Sequence, residues 1–137
     1  MTYPIVGSCQ CGQVTYKLCA APKMVIACHC KECQKLSTAP FSVTAIIATE
    51  AIQFDGELTE WSRLADSGNQ NSAKFCSTCG NRVYQYNPDD LTTIKLKLKP
   101  VDVKDDRIFE PSMHIWVSEK LSWVQIPKGM VTFDKQR

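Results

Sequence analysis

The segment VIACHCKEC, residues 25–33, sets three thiols (Cys28, Cys30 and Cys33) and one imidazole (His29) in a single short loop. Two more cysteine pairs stand elsewhere, Cys9 and Cys11 in SCQCG and Cys76 and Cys79 in FCSTCG. Deprotonated sulfur is a soft, anionic ligand, so thiols at one- and two-residue spacings form the donor set of zinc and other soft metals. The competing use is a disulfide. Cysteines spaced C-x-C do not readily meet the geometry of separate bridges. The N-terminus MTYPIVGSCQCG also lacks the charged segment and following apolar segment that direct secretion. The expected location is therefore the cytoplasm, where thiols stay reduced and clustered cysteines read as metal ligands. Cys19, in KLCAAP, stands apart from the three groups and reads as a small, buried or half-buried apolar residue.

Two of the groups share a detail. CQCG and CSTCG each place a glycine directly after the last cysteine, Gly12 and Gly80, in a chain with six glycines. A metal knuckle turns backbone amides toward sulfur, and the residue that follows often needs a positive φ, which glycine adopts without steric cost. Two such knuckles make a closed four-thiolate tetrahedron, so Cys9, Cys11, Cys76 and Cys79 are expected to hold a structural zinc. That site would close a long loop and contribute directly to folding.

The loop at 28–33 is left with three cysteines and no partner pair. Three protein ligands and an open fourth position describe a reactive zinc rather than a structural one. Three thiolates leave such a zinc formally at −1, so it should acidify water weakly and accept another sulfur readily. Thiol chemistry is thereby favoured over metal-hydroxide hydrolysis. His29 is either a fourth ligand or, with both neighbours already ligating, a packing or hydrogen-bonding residue beside the site. His114, in PSMHIW, is flanked by apolar residues and reads as a core histidine or a neighbour of the site. Zinc deaminases also use cysteine sites, but they need H-x-E and P-C-x-x-C elements, and neither occurs here.

The elements that must position these groups are mostly strands. Alternating β-branched and aromatic residues mark QVTYKL (13–18), MVIA (24–27), FSVTAIIAT (41–49), NRVYQY (81–86) and TTIKLKL (92–98). AIQFDGELTEW (51–61) reads as a hairpin turning at Asp55-Gly56, and ADSGNQNS (65–72) as a polar connecting loop. The segments after Cys30 and around 101–107 tolerate a short helix. The lysines Lys95, Lys97 and Lys99 alternate with Ile94, Leu96 and Leu98, the pattern of a solvated strand face or a protected sheet edge; an anion-binding surface is the alternative. The 137 residues, 44% hydrophobic and 22% charged, suit one domain over 1–137. A net charge of +2 gives no reason to expect nucleic acid as a partner, and no apolar run is long enough to span a membrane. Oligomeric state is not legible.

GSCQCGQVTY, CHCKECQKLS, FCSTCGNRVY and HIWVSEKLSWV, in this order and at these separations, resemble the family of glutathione-dependent formaldehyde-activating enzymes and centromere protein V, over about residues 7–126. The resemblance implies a mainly β, Mss4-like zinc domain of stacked sheets with one or two short helices. It also implies two zinc ions per chain: a structural one on Cys9, Cys11, Cys76 and Cys79, and a catalytic, more labile one on Cys28, Cys30 and Cys33. The implied activity is of carbon–sulfur lyase type, archetypally formaldehyde plus glutathione to S-hydroxymethylglutathione, with a small thiol such as glutathione as partner. Thr38 stands where the family commonly has glycine, and no residue set for glutathione recognition carries over by position. The alternative is a non-catalytic, zinc-bearing binding domain of the same fold, which would have no need of the three-cysteine loop.

Overall fold

The computed structural model describes residues 3–136. Two sheets form the framework. A three-stranded sheet pairs β1 (Ile5–Ser8), β2 (Thr15–Leu18) and β5 (Ile52–Asp55) in the order β1-β2-β5. An eight-stranded sheet is built from β3 (Met24–Cys28), β4 (Ser42–Ala48), β6 (Leu58–Leu64), β7 (Gln70–Cys76), β8 (Arg82–Asn87), β9 (Asp90–Leu96), β10 (Met113–Ile115) and β11 (Val131–Thr132). Its order is β11-β10-β3-β4-β9-β8-β7-β6, antiparallel except at β10, which runs parallel to both β3 and β11. The one α-helix, α1 (Lys31–Ser37), lies against β4.

Alternation along the strands assigns each face of the large sheet. Val25, Ala45, Ile47, Ile94 and Leu96 point to one side and join Ile5, Tyr16, Leu18 and Ile52 of the small sheet in the main core. Leu18, Ile47 and Leu96 have no exposed surface, and burying each contributes about 1.5–3 kcal/mol. Tyr16 reaches across this core, and its hydroxyl donates to Leu98 O at 2.6 Å. The opposite side of β3 carries Ile26 and Cys28, which pack with Cys33 and Ile115 and with half-buried Leu36 and Trp116. The two faces of β3 therefore do different work: one closes the core, the other presents a cysteine.

Four expectations need correction. Cys19 is exposed rather than buried, because it falls just past the end of β2 where the chain leaves the sheet. Asp55-Gly56 does not turn a hairpin: β5 belongs to the small sheet and β6 to the edge of the large one. Gly56, at φ 110°, lets the chain cross between sheets against Gln13 and Val14, where a Cβ would meet Gln13 O at 2.2 Å. The polar stretch 65–72 is only partly loop, since β7 begins at Gln70. β9 lies between β4 and β8, so its lysines do not guard an edge. Lys95 is exposed, but the Lys97 ammonium donates to Thr44 Oγ1 at 2.6 Å, and that of Lys99 donates to Val43 O and, at 2.7 Å, to Lys97 O.

Candidate metal centres and the cleft beside them

Cys9 and Cys11 occupy the loop from β1 to β2, while Cys76 ends β7 and Cys79 lies in the loop from β7 to β8. The two loops are built alike. In each, the first cysteine's N–H donates to a carbonyl five residues on: Cys9 to Val14 O at 3.0 Å, and Cys76 to Asn81 O at 2.9 Å. In each, the glycine N–H returns to that cysteine's carbonyl, Gly12 at 3.1 Å and Gly80 at 3.0 Å. The glycines take φ of 82° and 79°, the left-handed conformation that their placement after the last cysteine predicts. Gln10 N–H donates to Asn81 Oδ1 at 2.7 Å and ties one loop to the other.

The four sulfurs converge within 4.8 Å of one another. Cys9 and Cys11 Sγ are 3.6 Å apart, and Cys11 and Cys76 Sγ, 65 residues apart in sequence, are 3.7 Å apart. A tetrahedral ion with metal–sulfur bonds of about 2.3 Å sets its ligands about 3.8 Å apart, so the spacing fits. Backbone amides point at the sulfurs, Val14 N at 3.3 Å from Cys9 and Thr78 and Cys79 N at 3.4 Å from Cys76. The Cys79 N–H, against burial and with help from Thr78, holds the Cys76 thiol down to about 6. Cys11, in contrast, is pushed up to about 11 against the Gln13 N–H, with its neighbouring sulfurs among the causes, so the group favours thiolate at Cys76 and would need a cation to hold the rest.

Cys28, Cys30 and Cys33 come together at the junction of β3 and α1, their sulfurs also within 4.8 Å. Cys28 ends β3, opposite Ser42 of β4 and Ile115 of β10. Cys30 caps α1, its sulfur accepting the Cys33 N–H at 3.3 Å, and Cys33 lies in the first turn. This folding follows from sequence: a strand ending in Cys28, an extended capping residue at Cys30, and a helix whose first turn carries Cys33 bring positions i, i+2 and i+5 to one point. Hydrogen bonds from Cys28 and Cys30, assisted by the Lys97 ammonium and the nearby Ser42 hydroxyl, hold the Cys33 thiol well below its ordinary value. Cys28 is pushed up, first by Cys30 and Cys33, because neighbouring sulfurs cannot all ionise unaided. A cation would relieve that conflict.

His29 turns away from the sulfurs. Its ring is fully buried, Nε2 lies 2.8 Å from His114 Nδ1, and Phe41 packs on it at 4.9 Å between ring centroids. Burial, then His114 and Lys120, pushes its imidazole down to about 4. His114 is buried as well and lies next to Ile115, whose carbonyl accepts the His29 N–H at 3.0 Å. The pair joins β3 to β10 directly beneath the three-cysteine loop.

Beside residues that contact Cys33 lies a cleft of about 340 Å³ lined by Leu36, Ser37, Phe41, Ser42, Asn81, Arg82, Lys97 and Lys99, among others; none of the three cysteines lines it. Three of these act on Cys33: Ser37 Oγ donates to its carbonyl at 2.6 Å, and Ser42 and Lys97 lower its thiol. The cleft residues are the functional candidates that spacing rules pass over; the only signal of them in the sequence is the lysine row, which reads equally well as a solvated face.

The sequence profile of the family described as glutathione-dependent formaldehyde-activating enzyme matches residues 4–119, and the chain belongs to that family. Among solved structures, the chain is similar to a Rhodobacter sphaeroides protein determined by structural genomics, at 15% identity and a TM-score of 0.56 over 94% of this chain and 99% of that one. At that identity the likeness is one of fold. No curated protein matches the chain. No helix among the described residues is long and apolar enough to cross a membrane.

Proposed function

We propose that the protein is a zinc-dependent enzyme of carbon–sulfur lyase type that joins a thiol to a small carbonyl compound, with glutathione and formaldehyde as the archetypal pair. Zinc on Cys9, Cys11, Cys76 and Cys79 would be structural, and a second zinc on Cys28, Cys30 and Cys33 would serve the reaction in the cytoplasm. One observation carries this reading. The four-cysteine group is complete in itself, whereas the three-cysteine group is one ligand short and touches, through Ser37, the wall of a cleft.

Zinc held by three thiolates would supply a soft Lewis acid on which an incoming sulfur is stable as thiolate. The remaining work falls to the chain. Burial holds the Lys97 ammonium below its ordinary value while the three sulfurs raise it, so its charge and that of the cysteine group would support each other. Leu36 and Phe41 line the cleft with apolar surface that limits water. The cleft brings thiol and carbonyl compound together, so the rate gain comes chiefly from proximity. In the reaction a carbon–sulfur bond forms, the carbonyl double bond becomes a C–OH single bond, and the thiol proton ends on that oxygen.

The test begins with zinc content after purification under reducing conditions with zinc restored. Two ions per chain are expected, one leaving first on chelation and missing from a Cys28→Ser, Cys30→Ser, Cys33→Ser variant. One firmly held ion that this variant keeps unchanged would overturn the reactive site. Formaldehyde-dependent consumption of glutathione thiol above the spontaneous rate then separates an enzyme from a zinc-bearing binding domain.

A further inference from the structure

Strand β6 (Leu58–Leu64) ends the large sheet, and no strand lies on its outer side among the described residues. Its pairing with β7 runs unbroken from Leu58 opposite Cys76 to Leu64 opposite Gln70. Bonds just beyond each end show which backbone groups that pairing uses: Ala65 N–H donates to Asn69 O at 2.8 Å, and Ser77 N–H to Glu57 O at 3.3 Å. Hydrogen-bonded pairs alternate along an antiparallel ladder, so Thr59, Trp61 and Arg63 bond inward to β7. The N–H and C=O groups of Leu58, Glu60, Ser62 and Leu64 therefore point out from the sheet. One of them is met within the chain, the Arg63 guanidinium donating to Leu64 O at 3.3 Å. The devices that usually blunt such an edge are missing. The strand holds no proline, no lysine and no bulge against β7, and Glu60 is turned back onto Lys74 at 3.5 Å and the Tyr86 hydroxyl. Trp61 and Leu64 are instead 51% and 69% exposed.

The residues of the edge say what fits it. LTEWSRL is close to a palindrome in side-chain type about Trp61. We propose that β6 pairs antiparallel with β6 of a second copy of the chain, about a two-fold axis at Trp61, so that two large sheets join into one. Such an axis stands perpendicular to the sheet and keeps each residue on its own face, and outward-facing residues must meet outward-facing residues. Centred on Trp61, the pairing sets Leu58 against Leu64, Glu60 against Ser62 and Thr59 against Arg63 of the second copy. Every residue of the strand is then paired, no like charges are opposed, and the outward backbone groups find partners. The Leu64 carbonyl, with two lone pairs, can accept from both Arg63 and the second copy. Moving the axis to Glu60 would oppose two carboxylates, which is destabilising; moving it to Ser62 would set Glu60 against Leu64. Either shift also leaves part of the strand unpaired. Trp61 falls at a pair without hydrogen bonds, where the backbones come closest, so the two indoles meet at the centre. Arg82 backs that ring from its own copy, its guanidinium carbon 5.8 Å from the centroid.

One strand from each copy makes a small interface, so a dissociation constant of about 10–100 μM is expected. Sedimentation equilibrium on the zinc-loaded full chain, from about 1 μM to about 1 mM, should show monomer and dimer in exchange. Far-ultraviolet circular dichroism should show a Trp–Trp exciton couplet that grows with the dimer fraction. Ser62→Pro removes an outward N–H without touching a bond to β7, the setting in which an edge strand accepts proline. It should weaken the dimer by about tenfold or more, and Trp61→Lys, which puts like charges at the axis, should do the same. An unchanged zinc content checks the fold of both variants, and if Ser62→Pro does not fold, Trp61→Lys decides. Trp61→Phe should keep most of the affinity and lose the couplet. Val6→Lys, at the exposed edge of the small sheet, should leave the dimer as it is. A monomer throughout the range overturns the inference and leaves the edge to a strand of another protein. A dimer that Ser62→Pro and Trp61→Lys leave unchanged also overturns it, since the interface would then lie elsewhere. So does a dimer without the couplet, which would remove Trp61 from the axis.

Discussion

The two cysteine groups use the same atom to opposite ends. The four-cysteine group is assembled from two hairpin loops with matching hydrogen bonds, each closed by a glycine near φ 80° and joined by Gln10 and Asn81. Its sulfurs are met mainly by backbone amides, with the Gln13 side-chain amide adding one donor to Cys76 Sγ at 3.4 Å, and four sulfurs leave no ligand direction vacant. The three-cysteine group takes all its ligands from one strand–helix junction, and what surrounds it is side chain: Ser42, Lys97, and the His29–His114 pair beneath. A site made by backbone is rigid and closed; a site dressed by side chains can be adapted to a substrate. That difference separates fold from chemistry within one small domain.

The sharpest way to break the comparison is to remove one sulfur from each group. Cys76→Ser should cost several kcal/mol and lower Tm by more than about 10 °C, because metal binding there is folding energy and the group joins segments 65 residues apart. Cys33→Ser should lower kcat/KM by about a hundredfold or more while Tm moves by only a few degrees. Calorimetric melting and zinc content measured on both variants settle the matter. Equal losses of Tm would mean that the groups do not divide the work.

A smaller effect concerns pH. Burial, with Lys97 adding to it, holds the Lys99 ammonium down to about 8. Its charge is therefore present below that pH and lost as pH rises through it, so KM for an anionic thiol such as glutathione should climb from about pH 8 upward if Lys99 meets it. Lys97 and Arg82 are the other charged groups facing the cleft. Lys99→Arg keeps its charge throughout and should move that rise to higher pH. A KM profile identical in the two proteins would remove Lys99 from anion binding.

The smallest effect sharpens the contrast in backbone. Where the four-cysteine loops place glycine, α1 ends on Thr38 at φ 48° and ψ 43°, a conformation costly for a β-branched residue. Thr38→Gly should stabilise the protein by up to about 1 kcal/mol, seen as a Tm increase of a few degrees. Threonine at this position therefore changes the residue from the glycine expected there but leaves the left-handed turn in place.

Legibility in the sequence follows the same division. The cysteine spacings, the two glycines and the alternating strands are local patterns, so the mainly β fold and both sulfur groups are legible from the order of residues alone. What is not legible depends on which sheet a strand joins. Asp55-Gly56 carries a hairpin signature, yet the strands on either side enter different sheets, a choice made by core packing rather than by the turn. The lysine row alternates like a solvent face, but β9 lies inside the sheet and turns Lys97 toward Thr44 instead. His29 draws attention through its neighbours in sequence; the partner that fixes its ring, His114, is 85 residues away.

One link between the two groups bears on how relatives diverge. Asn81 holds the four-cysteine loops together through its Oδ1 and its carbonyl, and with Arg82 it also forms part of the cleft wall. Arg82 lies immediately beyond the last knuckle, where the chain has already been fixed in place by hydrogen bonds that do not involve its side chain. A lineage could exchange that side chain, and with it the charge offered to a ligand, while every sulfur stayed where it is. The cysteine loop would then act as a fixed mount for an interchangeable part, which is one route by which a single scaffold comes to serve many substrates.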